Sequence, residues 1–295
     1  MSDYILSCCS TCDRTAEQLE KKDIKYICFH FELDGKHYDD DLGKSIPFGE
    51  FYAAMSGGAD TRTSQINADE YVEYFKPFLA AGKDILHVTL SSGLSGTINS
   101  ANIAKDMLEE EFPDRKIYIV DGLGASGGYG LLMDTLADMK AEGKSIDELY
   151  DFVEKNKLFV HHWFFSTDLT FFIKGGRVSK TSGFVGTLLN ICPLLNVDRT
   201  GHLIPRMKVR TKKKVKQEIV EKMKEHARGG LDYNEKCFVT HSDCYEDARE
   251  VVDMVEETFP NLKGKIEITY IGTVIGSHTG PGTVALFFWG DERLD

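Results

Sequence analysis

The sequence predicts an α/β protein of two domains: a mainly parallel three-layer α/β/α unit, then an α+β unit with a mixed or antiparallel sheet. Two observations carry this. The first half alternates short apolar runs with amphipathic stretches of helical length, the pattern of βαβ units. Near residue 156 that alternation stops, and strand-like runs come in consecutive pairs. A chain of 295 residues accommodates two domains of ordinary size, which we place at 1–156 and 157–295.

In the first half, β-branched and aromatic runs predict strands over residues 4–7, 25–31, 84–90 and 116–121. Helices are expected over 15–22, 48–55, 67–81, 97–112 and 127–141, where apolar residues recur at helical spacing. Asn67 with Glu70, and Ser145 with Glu148, have the spacing of capping boxes. The second half opens on the aromatic-dense LFVHHWFFSTDLTFFIKGG. Strands over 193–197 and 202–209 flank a turn at 198–201, and a helix over 212–228 stops at Gly229-Gly230. A strand over 236–241, a helix over 245–259 and strands over 265–271 and 283–289 follow.

Composition excludes several classes. A formal net charge of −12 argues against nucleic acid or an anionic membrane as the main partner. The opening MSDYILSCCS lacks the basic region and apolar length of a signal peptide, and no apolar run reaches the roughly 18 residues of a membrane span. The expectation is a cytoplasmic protein. Its seven cysteines are then expected as reduced thiols, although Cys9 and Cys12 form a C-x-x-C that leaves a redox function as an alternative. Cys237, His241 and Cys244 lack a second tight pair, so no metal site is expected.

Three polar segments stand out: TRTSQ at 61–65, SSGLSGT at 91–97, and SHTGPG at 277–282, the last read as a turn between two strands. Serine, threonine, glycine and proline are ordinary loop residues, and each segment alone is explained as a turn or cap. The second has more to offer. A loop that leaves a strand and opens a helix presents free backbone N–H groups and the positive end of the helix dipole. Gly93 and Gly96 permit close approach of the main chain, and Ser91, Ser92 and Ser95 add hydroxyls. The segment has no lysine or arginine and fails the phosphate-loop pattern. Neutral donors without a cation suit a singly charged carboxylate better than a triphosphate.

Taken together, TSQ, LSSGLSGT, FFIKGGRVSKT, GTLLNICPLLNVD, VRTKKK and GSHTGPG, in this order and spacing, resemble the DegV family across essentially the whole chain. The resemblance implies two α/β domains with a fatty acid in a lipid slot between them. It also implies a FakB-type carrier that presents the acid to a separate ATP-dependent fatty acid kinase. By the same likeness Thr63 and Ser95 hold the carboxylate, His278 lies beside it, and Arg177 contacts the partner. Neither a cofactor nor catalysis by the chain itself is implied. Phe165, Phe172, Ile173, Phe184, Leu188 and Leu189 are candidates to line the acyl slot, with plain core packing as the competing role. The chain departs from the family's D-S-T-x-D at Cys9, while Ser10, Thr11 and Asp13 match. Ile66 replaces the proline after TSQ, and Gly122 the serine after the fourth strand. A hydrolase or transferase using Ser95 as nucleophile and His278 as base stands as the catalytic alternative. Ser95 does not stand in a G-x-S-x-G elbow, and no acid to orient the histidine is evident.

Overall fold

The computed structural model describes residues 4–178 and 191–293. The chain opens with β1 (Tyr4–Cys9), α1 (Ala16–Lys21), β2 (Ile24–Ile27), β3 (His30–Leu33) and β4 (Lys36–Asp39). Next come α2 (Phe48–Ser56), β5 (Thr61–Ser64), α3 (Ala68–Ala80), β6 (Asp84–Thr89), α4 (Thr97–Glu111) and β7 (Ile117–Asp121). Then follow α5 (Ser126–Ala141), α6 (Ile146–Asn156), β8 (Val160–Ser166), α7 (Thr170–Lys174), β9 (Ile191–Val197) and β10 (Leu203–Arg210). The remainder comprises α8 (Lys212–His226), β11 (Cys237–His241), α9 (Tyr245–Thr258), β12 (Glu267–Tyr270), α10 (Thr273–Thr279) and β13 (Thr283–Trp289).

Four strands make a parallel sheet in the order β2-β1-β6-β7. Every residue of β1 is buried, as expected of a central strand covered on both faces. Six strands make a mixed sheet in the order β10-β9-β8-β13-β11-β12, antiparallel except for the parallel β11–β12 pair. Both predicted capping boxes form, at Asn67 for α3 and Ser145 for α6.

A third sheet, β4-β3-β5, is antiparallel and was not expected. The run 25–31, read as one strand, divides at Cys28-Phe29: β2 joins the parallel sheet and β3 starts the small one. Asp34-Gly35 turns β3 into β4, both residues at positive φ as a tight hairpin requires.

Helix α5 lies between the parallel and mixed sheets, which explains why most of its residues are buried, including its first five. Gly128 is needed there, because a Cβ at that position would sit 2.3 Å from the His162 ring. Helices α8 and α9 pack on one another and on the mixed sheet. Among the described residues no helix is long and apolar enough to cross a membrane.

Candidate functional site

One cavity of about 650 Å³ opens where the C-terminal ends of the parallel strands meet the mixed sheet. Ligands of open α/β sheets bind at such strand ends. The three polar segments converge on it: Thr63, Ser64 and Gln65; Ser92 to Gly96; and His278 with Thr279.

The loop after β6 owes its shape to its own small residues. Ser91 is buried; its hydroxyl donates to the Gly201 carbonyl at 2.9 Å and accepts the Gly93 N–H at 3.1 Å. It ties the loop to the β9–β10 hairpin and does not line the cavity. A Cβ on Gly93 would stand 2.7 Å from the Gly201 oxygen, so that position needs glycine for the hairpin to close. Ser95 Oγ accepts the Thr97 N–H at 3.2 Å and faces Gln65 Oε1 at 3.5 Å. Its hydroxyl therefore sits beside the free N–H groups at the start of α4.

Two segments depart from the turn expectation. TRTS is β5, paired with β3, which puts Thr63 opposite Phe31. His278 sits in the last turn of α10, a helix too short and too glycine-rich to show in the periodicity. These placements bring His278 Nε2 within 2.8 Å of Thr63 Oγ1. Burial, with the Arg177 guanidinium nearby, pushes the imidazole down to about 4. At neutral pH the pair is therefore an uncharged hydroxyl–imidazole contact. Arg177 supplies the cation: its Nε and Nη2 donate to the Leu94 carbonyl at 3.3 and 3.1 Å, and it lines the cavity.

Away from this polar end the walls are mostly apolar, with Phe29, Phe164, Phe172, Val274, Ala285 and Phe287 among the lining residues, and Ser126, His162 and Thr283 as polar exceptions. Phe172 was expected there. Phe165 and Ile173 were too, but neither lines the cavity. Alternation on β8 turns Phe164 and His162 toward it and Phe165 away. Ile173 neighbours Phe172 on α7, a short helix that presents only some of its residues to the cavity. Phe184, Leu188 and Leu189 lie outside the described residues. Gln65 and Phe164 were missed, although both had signals: Gln65 ends the TSQ segment, and Phe164 follows His162 at strand spacing.

The geometry bears on the alternatives. Imidazole and nucleophile do not meet: His278 contacts Thr63 while Ser95 contacts Gln65 and Thr97. Among the described residues His278 Nδ1 is buried without a partner, and none of their acids orients the ring as a triad requires. Cys9 Sγ faces the Tyr71 hydroxyl and His87, and Cys12 Sγ approaches Cys8 at 3.8 Å. The C-x-x-C sulfurs thus point to different partners. Burial pushes the Cys9 thiol up to about 11, the reverse of a reactive thiolate.

One group of described residues gathers metal-type donors: His161, His226 and Asp291 place ligand atoms within 4.8 Å of one another. The two imidazoles are stacked, 21° from coplanar at 4.8 Å between centroids. Both nitrogens already face Asp291 oxygens, at 2.9 and 3.1 Å.

A family model described as uncharacterised DegV proteins matches residues 9–291. The chain belongs to the DegV family. A DegV domain-containing protein of Clostridium perfringens is 38% identical over 294 residues, 99% of each chain. Among solved structures, a DegV lipid binding protein of Thermotoga maritima is 29% identical with a TM-score of 0.83, covering 99% of this chain and 100% of that one. A DegV family protein of Thermus thermophilus, described by its fatty acid binding, is 25% identical with a TM-score of 0.85, covering 98% and 99%. This DegV chain thus shares with them its parallel sheet and its mixed sheet.

Proposed function

We propose that this DegV protein binds one long-chain fatty acid in the cavity. The carboxylate is held by Thr63 and Ser95 with His278 alongside, and the tail runs along Phe164, Phe172 and Ala285. The observation that carries the proposal is the make-up of the walls: hydroxyls, the His278 imidazole and Arg177 gathered at one end, and mostly aromatic and aliphatic groups elsewhere, with Ser126, His162 and Thr283 among them. The volume falls within the range of small-molecule pockets. For affinity the tail dominates. At about 0.8 kcal/mol per buried methylene, some fifteen groups offer on the order of 12 kcal/mol before the costs of binding. The fatty acid and lipid binding of the Thermus and Thermotoga relatives supports the same reading.

The head group sets the chemistry. A carboxylate held by neutral hydroxyls keeps an oxygen free to attack the γ-phosphate of ATP. The chain itself lacks a phosphate-loop lysine pattern. The nucleotide and its metal therefore come from a separate fatty acid kinase, and this chain acts as a cytoplasmic carrier that positions the acid without catalysis or cofactor of its own. Arg177, beside the loop that holds Ser95, is the contact for that partner or the approaching phosphate. Division into domains at 1–156 and 157–295 belongs to the same proposal and leaves the slot between them.

Native mass spectrometry before and after organic extraction tests it. The expected result is an excess mass equal to one long-chain acid, removed by extraction and restored on adding the acid back. A chain that emerges without such a mass and takes up no added acid overturns it.

A further inference from the structure

The cavity wall formed by α10 is fastened at its N-terminus by two buried carboxyl groups from distant parts of the chain. Asp13, just after β1, accepts the Gly272 N–H through Oδ1 at 2.9 Å and the Ser126 hydroxyl through Oδ2 at 2.5 Å. Asp40, just after β4, accepts the next amide, Thr273 N–H, at 3.2 Å and the Thr273 hydroxyl at 2.6 Å, both through Oδ1. The two groups share one small space: a Cβ on Gly272 would lie 2.8 Å from Asp13 Oδ1 and 3.5 Å from Asp40 Oδ1. Both residues are almost fully buried, Asp13 at 4% and Asp40 at 1% exposure, and Asp40 Oδ2 has no hydrogen-bond partner. The Ser10 hydroxyl and the Val274 N–H also approach Asp40, without meeting strict hydrogen-bond geometry at Oδ2.

Among the described residues no cation compensates them. Arg14, the neighbour of Asp13, turns its guanidinium to Glu267 at 2.7 Å and over the Phe238 ring. Lys44, beyond Asp40, reaches the Tyr26 hydroxyl. From α2, the buried Tyr52 phenol donates to the Ile271 carbonyl, with Asp243 and Cys244 behind it. Cys28 approaches Asp40, its thiol pushed by burial up to about 12, as is that of Cys244. His241 and His278 are both held near 4 by burial, so they stay neutral above pH 6.

Taking the cavity as the fatty-acid site proposed above, we infer that Asp13 and Asp40 are positioning residues that share one proton, and that losing this proton loosens α10 and releases the bound acid. Two buried carboxylates that flank the same glycine, hydrogen-bonded but without a cation, cannot both ionise without cost. Burial, with Asp40 adding to it, pushes Asp13 up to about 8, and burial pushes Asp40 upward as well. Protonated Asp13 keeps the Gly272 N–H on Oδ1 and turns its own O–H to Ser126. The serine then donates to Thr240 Oγ1, 3.1 Å away. Ile271, Val274, Ile275, His278 and Thr279 all line the cavity from this segment, so its anchorage sets how readily the wall opens.

The sign follows from linkage. If opening exposes Asp13 to water, its carboxyl there titrates near 4, so the closed wall holds a proton that the open one lacks between about pH 4 and 8. Opening then becomes easier as pH rises, by up to about tenfold per unit, and levels off above about 8.

The test is the rate at which a bound long-chain acid transfers to excess phosphatidylcholine vesicles, measured from pH 6 to 9 on the full chain. The expected result is a rate that climbs severalfold to about tenfold per unit up to pH 8 and flattens beyond, with the climb absent in Asp13→Asn. In Asp40→Asn the climb should shift to lower pH. A wild type and Asp13→Asn variant whose profiles run parallel would overturn the inference, since a merely structural role moves the rate equally at every pH. Failure to bind acid at any pH would instead remove the fatty-acid proposal. The pair is then judged by infrared spectroscopy of the wild type, which also serves if Asp13→Asn does not fold. A protonated carboxyl band at pH 7 that vanishes by pH 9 supports the pair, and its absence at pH 7 overturns it.

Discussion

The two ends of α10 handle charge in opposite ways. At its C-terminus, His278 meets the Thr63 hydroxyl as a neutral ring, pushed down to about 4 by burial and by Arg177. At its N-terminus, two carboxyl groups crowd the first amides with no cation beside them among the described residues. One end offers uncharged donors to an incoming anion. The other holds acids whose ionisation the surroundings oppose. The difference teaches that this wall is arranged to leave the negative charge to the ligand: whatever ionisable group the protein places along α10 is kept neutral or half-protonated near pH 7.

The strongest way to break the comparison is at the hydroxyl end. Each hydrogen bond to a charged acceptor is worth about 1.5–3 kcal/mol. Thr63→Ala combined with Ser95→Ala should therefore weaken binding of a long-chain acid about a hundredfold or more, measured by equilibrium titration. Unchanged affinity would mean the carboxylate sits elsewhere.

A smaller effect is expected at the imidazole. His278→Gln keeps a donor toward Thr63, so affinity should fall by less than about tenfold, and by the same factor at pH 6 and pH 8. A change confined to the pH 6–8 window would show that the ring carries charge in use.

Stability against pH sharpens the contrast further. His87, His161, His241 and His278 are all pushed down by burial, to between about 3 and 4. Their unfolded forms take up protons below about pH 6.5 while the folded ones do not, so stability falls as pH drops through that range. Asp13 has the opposite sign: raised to about 8, it costs stability as pH climbs from about 4 to 8. A melting-temperature profile should therefore peak at about pH 7, and a maximum at or above pH 8 would argue against the protonated acid.

The smallest effect tests a region away from the site. Asn67→Ala removes the α3 cap, whose side chain accepts the Glu70 N–H at 3.0 Å. It should cost about 1 kcal/mol of stability, seen in denaturant titration, with acid affinity unchanged.

How much of this could be read from the chain depended on whether the signal was local. Strand β13 was delimited to the residue, because TVALFFW is an unbroken apolar, β-rich run with turn residues before it. Both capping boxes were evident for the same reason: cap and partner stand three residues apart. By contrast, β5 was missed because T-R-T-S has no apolar face, and its strand character comes from pairing with β3. The β3–β4 hairpin carried a usable Asp-Gly signal, obscured by reading the preceding run as a single strand. Ser91 and Ser95 looked alike in the sequence, yet one braces the loop and the other faces the cavity. Composition alone does not tell them apart; the family resemblance singles out Ser95, and the fold shows what Ser91 does instead. The acid pair had no local signal at all, since Asp13, Asp40 and Gly272 meet across most of the chain's length.

The most direct test of a hydroxyl-held carboxylate compares a long-chain acid with the primary alcohol of equal length, titrated against the wild type and the Thr63→Ala, Ser95→Ala double variant. The wild type should prefer the acid by well over tenfold, and the double variant should lose that preference while still binding both tails. Equal binding of acid and alcohol by the wild type, or a preference that survives both substitutions, would contradict it.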